Sequence, residues 1–292
     1  MSIEVKHPQP HNVLAMKKIW QTCFGDDMSY IDFFFERCFN PEHALVAYYD
    51  YKPVAMMFLL PTSLKISEKE YMGAYIYAVA TKPDYRGMGI MKLMEQKAVE
   101  VSTSKGIKYL CLVPQTKSLY HMYEKIGYKT TFYVTQKKYM PLGTPNSSEI
   151  MIENCNKIEF TTLRKKFVHQ LNSFVEFDNE LQEYRFEEFV HTGIHILKVT
   201  TTKTVGYIVG YQEKDCFVVK ETSLDKDDLT KAMNVLVQKF KVTFVKVRGQ
   251  KGVIDEILPF GMYKSLSPEI DDIYVKAKNP YMNLMLDYFE GE

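Results

Sequence analysis

The residue types best suited to chemistry lie in a glycine-bearing loop, residues 86–91, with the sequence Arg-Gly-Met-Gly-Ile-Met. The run before it, residues 75–81, is rich in β-branched and aromatic residues and predicts a strand, and a helical pattern begins after it. A strand that leads through glycines into a helix directs unpaired backbone N–H groups towards one point, where phosphate binds. Gly87 and Gly89 permit close approach of a ligand, and the planar guanidinium of Arg86 suits phosphate.

Two well-known phosphate-binding loops do not fit this segment. A Walker A loop requires G-x-x-x-x-G-K-[ST], which is absent. A dinucleotide fingerprint requires a third glycine where Lys92 stands and an acidic residue about twenty positions later, where the chain has Ile-Lys-Tyr-Leu at residues 107–110. For the loop taken alone, a tight connection that binds nothing stays open as the alternative.

A second segment of interest follows at residues 109–128. The apolar run 109–113 predicts a buried strand, and Pro114 must interrupt its hydrogen-bond ladder, which leaves backbone groups available to a ligand. Leu119, Met122, Tyr123 and Ile126 then fall on one face of a short helix. Tyr123 is therefore expected to point inward.

Together the two segments resemble the GNAT N-acetyltransferase superfamily. In the family motif [RQ]-x-x-G-x-[GA], Arg86 takes the first position and Gly89 the fourth, whereas the sixth is Met91 instead of Gly or Ala. A bulky residue there also occurs in two-domain members that resemble the Eis aminoglycoside acetyltransferases. Residues 123–128, Tyr-Glu-Lys-Ile-Gly-Tyr, are similar to the family segment Y-E-K-x-G-F.

The resemblance implies a GNAT fold of mixed α/β class with a central mixed sheet, and acetyl-CoA as the acyl donor. It implies that Tyr123 acts as general acid and that an amine attacks the thioester directly, with backbone N–H near Val79 stabilising the oxyanion. The acceptor is expected near the first two helices, where core packing is the alternative role. The residues expected at the donor are Val79, Ala80, Thr81, Arg86, Gly87, Met88, Gly89, Ile90 and Met91, and those expected at the acceptor are Trp20, Phe34 and Tyr77.

The general base is not assigned by the sequence. Many GNAT enzymes carry a glutamate on the strand before the loop, but Tyr75 and Tyr77 stand there, and Glu68 and Glu70 lie further back. A water-mediated base and the carboxylate of Glu292 at the end of the given sequence stay open.

The order of elements indicates two related halves. Helices are predicted at residues 13–24 and 27–38, strands at 44–50, 53–66 and 71–81, a helix after the loop, and one or two strands at 128–140. A similar order follows: helices at 160–174 and 184–189, strands at 195–199, 205–211 and 216–222, a helix at 228–240, a strand at 242–249, the string 260–263 and a strand at 271–277. The loop before that last helix, Ser-Leu-Asp-Lys-Asp-Asp-Leu, has no glycine and would repel pyrophosphate. We therefore expect a catalytic domain at 1–140, a linker at 141–150 and a degenerate GNAT-like domain at 151–292.

Composition restricts the classes of function. The 292 residues are 46% hydrophobic and 25% charged with a net charge of +1, which gives no support for a nucleic-acid or membrane-surface protein. The N-terminus has no apolar signal segment, so a cytoplasmic protein is expected. The five scattered cysteines and the seven histidines show no metal-ligand spacing. The leading prediction is acetyl transfer to a small primary amine. The alternatives are a non-catalytic acyl-CoA-binding or interaction protein and a Fem-like aminoacyl transferase; assembly as a homo-oligomer stays open.

Overall fold

The computed structural model describes residues 2–66, 68–141, 150–248, 256–270 and 281–282, and these form one large mixed sheet with helices on both faces. The first half of the chain contains β1 (Ile3–Lys6), α1 (Val13–Phe24), α2 (Met28–Arg37), β2 (Ala44–Tyr49), β3 (Lys52–Ile66), β4 (Lys69–Thr81), α3 (Ile90–Ser104), β5 (Tyr109–Leu112), α4 (Lys117–Glu124) and β6 (Lys129–Tyr139). The second half contains β7 (Ile150–Asn154), α5 (Lys157–Val168), β8 (Ser173–Phe177), α6 (Asn179–His191), β9 (His195–Thr201), β10 (Val205–Glu213), β11 (Cys216–Thr222), α7 (Lys226–Phe240), β12 (Phe244–Arg248), β13 (Glu256–Ser265) and β14 (Tyr281–Met282). The predicted mixed α/β class is confirmed.

The first-half elements follow the sequence patterns closely. The helical period of α1 buries Met16, Ile19 and Trp20, and Gly25, with φ 76°, ends the helix. The three strands predicted at 44–50, 53–66 and 71–81 are β2, β3 and β4, which pair as an antiparallel meander. Most residues of β2 are buried on both sides because helices cover both faces of the sheet here.

Several predictions for other segments are wrong. Strand β1 was not predicted. The helix predicted at 160–174 ends already at Val168, and the residues from Ser173 onwards form strand β8 instead. Strand β8 pairs with the outer part of β3, and all five of its residues are buried. A short, fully buried apolar run fits the helical period as well as the strand period, so the pattern alone did not distinguish them. Residues 260–263 lie inside β13, and β8 has no counterpart in the first half, so the element-for-element repeat is incomplete. The strand predicted at 271–277 lies outside the described residues.

The order of strands in the sheet shows how the halves are joined. It runs β1-β2-β3-β4-β5-β13-β6-β12-β11-β10-β9-β7. The order is symmetric about its centre, because β1 to β5 correspond in turn to β7, β9, β10, β11 and β12. Strand β13 pairs with β5 and with β6, and the far end of β6 pairs with β12. Each half therefore continues its sheet with a strand of the other half, β13 beside β5 and β6 beside β12.

Two hydrophobic clusters pack on the two faces of the first-half sheet. One lies beneath α1 and α2 and includes Trp20, Phe34 and Phe58, together with Tyr184 from α6. The other lies beneath α3 and α4 and includes Met94, Ala98 and Tyr123. No helix among the described residues is long and apolar enough to cross a membrane.

Candidate active site

The predicted loop has the backbone of an anion-binding turn. Arg86 is extended, Gly87 has φ 78°, and Gly89, with φ 74°, occupies the N-cap position of α3 without a side-chain capping bond. A Cβ at either glycine would meet nothing within 4 Å, so the space before the helix is open. The N–H groups of the first turn of α3 therefore face a space where a phosphate could accept their hydrogen bonds.

The corresponding helix of the second half is closed by its own side chains. Asp225 caps α7 and accepts hydrogen bonds from the backbone N–H of Asp227 at 3.0 Å and of Asp228 at 2.9 Å. Asp228 in turn accepts from Thr204 at 2.8 Å. Carboxylates thus occupy the positive end of α7, which would repel a second anion.

Strand β4 departs from regular geometry just before the loop. Ala78 has φ 47°, unusual for a residue with a side chain, and the register with β3 shifts between Met56 and Phe58. On its other edge β4 pairs with β5 only through residues 73–75, so residues 76–81 have no strand beside them there among the described residues. This part includes the predicted donor residues Val79, Ala80 and Thr81. Apart from the Thr81 carbonyl oxygen, which accepts hydrogen bonds from Arg86 and Cys23, the outer backbone groups of this part can bind a ligand between the diverging strands.

Arg86 lies beside this edge. Its Nε donates to the carbonyl oxygen of Thr81 at 3.1 Å, and the Cys23 thiol donates to the same oxygen at 3.4 Å. Arg86 is thus held between the end of β4 and the glycine loop. Ile90, the first residue of α3, is buried in the hydrophobic cluster beneath α3 and α4, and Met91 packs against that cluster. Met88 is exposed on the loop.

Tyr123 points inward, as predicted, into the cluster that also contains Ile90 and Met94. It is buried on α4, and its ring meets that of Tyr128 edge-on at 5.4 Å between centroids. Burial, together with the negative charge of Glu95, raises the pKa of Tyr123, so the phenol stays protonated. Its hydroxyl makes no hydrogen bond with another described residue, which leaves its proton for a ligand.

A buried ion pair from the exchanged strand lies next to Tyr123. Lys264 of β13 contacts Glu95 of α3 at 2.5 Å and donates to the carbonyl oxygen of Ile126 at 2.9 Å. Its ammonium also lies 5.5 Å from the centre of the Tyr128 ring. A residue of the second half therefore connects α3 to the chain segment that follows α4.

The three residues predicted at the acceptor lie together on the other face. The ring centroids of Trp20 and Phe34 are 4.9 Å apart, and each is 5.7 Å from that of Tyr77. Trp20 and Phe34 are fully buried, with the indole N–H bonded to Asp26, whereas Tyr77 is half-buried. Tyr77 is thus the one of the three that an acceptor could reach, and the other two support its ring.

A polar group that the sequence patterns did not indicate lies behind Tyr77. The Tyr30 hydroxyl donates to Glu188 of α6 at 2.6 Å and lies 3.0 Å from the Tyr77 hydroxyl, and Arg185 forms an ion pair with Glu188. Arg185 and Glu188 are both 3% exposed. Both fall on the same helical stripe as the buried Leu181, and charged residues on an apolar stripe were the signal that could have revealed them.

The described residues contain no group of three or more His, Cys, Asp or Glu side chains arranged to hold a metal ion. The loop and the free edge of β4 offer backbone hydrogen-bonding groups to a ligand, and the phenol of Tyr123 lies in the cluster beneath α3 and α4.

Comparisons with known proteins identify the fold that carries this site. Residues 4–131 match the family model of the GNAT acetyltransferase domain, and no curated protein matches the chain. Similar solved structures include a GCN5-related N-acetyltransferase from Anabaena variabilis, with a TM-score of 0.72, 15% identity and coverage of 91% of this chain and 73% of that chain. Eis1 from Mycobacterium abscessus is similar with a TM-score of 0.68, 9% identity and coverage of 95% of this chain and 76% of that chain. The N-myristoyltransferase of Saccharomyces cerevisiae with bound myristoyl-CoA is also similar, with a TM-score of 0.57, 9% identity and coverage of 91% of this chain and 80% of that chain. Identities this low show a shared fold. The chain therefore has the GNAT fold, and its residues 4–131 form a GNAT acetyltransferase domain.

Proposed function

We propose that the protein transfers an acetyl group from acetyl-CoA to the primary amine of a small molecule by direct attack. The observation that carries the proposal is the contrast between the two equivalent helices. The N-terminus of α3 is open behind two glycines with positive φ, whereas that of α7 is capped by Asp225. Only the first half therefore offers a pyrophosphate an uncapped helix end among the described residues.

The donor is held by three groups of this chain in the proposal. The N–H groups after Gly89 and the guanidinium of Arg86 bind the pyrophosphate, and the free edge of β4 at Val79 and Thr81 pairs with the extended arm. The displaced backbone around Ala78 directs an N–H towards the carbonyl oxygen that gains charge during attack. Binding of both reactants at fixed positions supplies much of the rate.

Tyr123 gives a proton to the departing sulfur. A phenol with a raised pKa is a weak acid, so it acts by hydrogen bonding and partial proton transfer as the C–S bond breaks. The acceptor enters on the face of the sheet that carries Tyr77, where Trp20 and Phe34 form an aromatic support. This environment favours an amine with an apolar body.

The first test is calorimetric titration of acetyl-CoA into the wild type and into Arg86→Glu. The matched control is Lys226→Glu, which makes the same charge change at the first residue of α7. We expect micromolar binding that Arg86→Glu weakens at least tenfold, since a cation at the phosphates is replaced by an anion. Lys226→Glu should bind as the wild type does. Binding that survives Arg86→Glu unchanged would contradict the proposed donor site.

The second test measures thiol release with phenethylamine, spermidine and kanamycin as acceptors. Release with at least one amine supports the transferase. Binding of acetyl-CoA without release from any amine would instead favour the non-catalytic acyl-CoA-binding alternative. Titration with myristoyl-CoA, the ligand of the similar yeast enzyme, tests whether the site takes a longer acyl group.

A further inference from the structure

A chain of hydrogen bonds leads from the acceptor face of β4 to a buried carboxylate in the second half. It joins Tyr77 to Tyr30 over 3.0 Å and Tyr30 to Glu188 over 2.6 Å. Tyr77 immediately precedes Ala78, whose φ of 47° marks the displaced part of β4. The chain therefore ends one residue from the backbone at which the acetyl group is expected.

The carboxylate of Glu188 determines which hydroxyl donates and which accepts in each hydrogen bond of this chain. A carboxylate only accepts, so the Tyr30 hydroxyl must donate to Glu188. The Tyr30 oxygen then accepts the proton of Tyr77. The Tyr77 oxygen is thereby set up as a hydrogen-bond acceptor towards an incoming N–H group.

The surroundings of Tyr30 keep its hydroxyl protonated at rest. Arg185 forms an ion pair with Glu188, and burial raises the pKa of Tyr30, with Tyr77 and Tyr184 beside it acting in the same direction and Arg185 opposing them. Tyr30 therefore does not ionise, and it can pass a proton on only as it receives one.

We propose that Tyr77 accepts the proton of the attacking amine and passes it through Tyr30 to Glu188. This deepens the proposed function and rests on it. Tyr77 is the catalytic residue, because its oxygen touches the reacting nitrogen, and Tyr30 and Glu188 are positioning residues that act through it. The second half would thus supply the carboxylate that the strand before the loop lacks.

The step balances in bonds and protons. The amine nitrogen forms a bond to the acetyl carbon, the C–S bond breaks, and the sulfur takes a proton from Tyr123. The nitrogen loses one proton to Tyr77 as Tyr77 gives its own to Tyr30 and Tyr30 gives its own to Glu188. After the product leaves, the proton returns along the chain to water, and Tyr123 regains a proton from water.

The test uses the full chain with acetyl-CoA and those amines of the panel that the wild type acetylates. In Glu188→Gln the side chain still accepts from Tyr30 but cannot take up a proton at neutral pH. In Tyr30→Phe the chain is cut while the Arg185–Glu188 pair stays, so this variant avoids an unpaired buried cation. We expect kcat to fall about 100-fold in each, with an unchanged Kd for acetyl-CoA.

Two further readouts separate a proton chain from a packing effect. The double variant should lose no more activity than either single variant, because both changes interrupt the same chain. The solvent deuterium isotope effect on kcat should rise in both, because proton transfer becomes rate-limiting. The matched control is Tyr184→Phe on α6, which removes a buried hydroxyl that has no hydrogen-bond partner among the described residues and should keep wild-type kcat.

The outcomes separate the two proposals. If the wild type acetylates none of the amines, the proposed function fails and the proton chain fails with it. If the wild type is active and Tyr30→Phe and Glu188→Gln retain its kcat, the proton chain alone is refuted. Additive losses in the double variant without a rise in the isotope effect would also refute it, since they indicate a structural role.

Discussion

Replacing Lys264 by Met tests whether the exchanged strand supports the first-half site. Lys264 is 21% exposed at its side chain, and its partner Glu95 is 5% exposed. The change removes the cation while keeping most of the length of the side chain. It leaves Glu95 as a buried carboxylate without its partner and removes the hydrogen bond to the Ile126 carbonyl.

The cost follows from these two losses. Breaking a buried ion pair from one side costs about 3–5 kcal/mol, and we take about 3 because the Lys264 end is partly solvated. The lost hydrogen bond adds about 1 kcal/mol. We therefore expect Lys264→Met to lower the free energy of unfolding by about 4 kcal/mol, a large share of the roughly 5–15 kcal/mol typical of a domain.

The pair is also expected to respond asymmetrically. Glu95→Met leaves a lysine that still reaches water and the Ile126 carbonyl, so it should cost only about 1–2 kcal/mol. The double variant replaces the pair by apolar side chains of similar volume and should recover most of the loss. Urea unfolding of the four proteins gives the coupling free energy directly.

Two outcomes would refute this reasoning. A loss below about 1 kcal/mol in Lys264→Met would mean that Glu95 is solvated or protonated without its partner. A double variant as unstable as Lys264→Met would mean that the packing of the lysine side chain, and not its charge, stabilises this region.

The remaining predictions concern one catalytic and one packing position. Tyr123→Phe should lower kcat at least tenfold while leaving the Kd for acetyl-CoA unchanged; an unchanged kcat would remove Tyr123 from the mechanism. Because its pKa is raised from 10.0, ionisation of Tyr123 should cause no fall in wild-type kcat up to about pH 10. Gly73→Ala should destabilise the fold by about 1–3 kcal/mol in urea unfolding, because its Cβ would overlap the buried ring of Tyr109; wild-type stability would show that this ring can move.

The parts of the site that the sequence predicted are those encoded by local patterns. The loop glycines and the start of α3 depend on neighbours along the chain, and the inward direction of Tyr123 follows from the period of α4. The closed end of α7 was also foreseen, since Asp225 and the acidic residues after it stand in the sequence itself. Such features need no knowledge of distant contacts.

The exchange of strands could not be predicted in this way. Strand β6 comes after β5 and strand β13 after β12, and β5 and β12 hold equivalent places in the sheet, so by pattern alone either strand could complete either half. Pairing of β8 with β3 is likewise a contact over about a hundred residues of chain, for which periodicity carries no signal. Lys264 therefore could not be assigned to the surroundings of Tyr123 before the fold was known.

Two contacts of the second half with the site explain how a half with a closed loop before α7 can still matter. Lys264 reaches the α3–α4 face through β13, and Glu188 reaches the opposite face through Tyr30. One contact lies behind the proposed acid Tyr123 and the other behind the proposed proton acceptor Tyr77. A buried charge is costly unless it is paired, and each of these charges has its partner within the fold. Changes that separate the halves should therefore affect both faces of the site at once, although acetyl-CoA would bind to the first half alone.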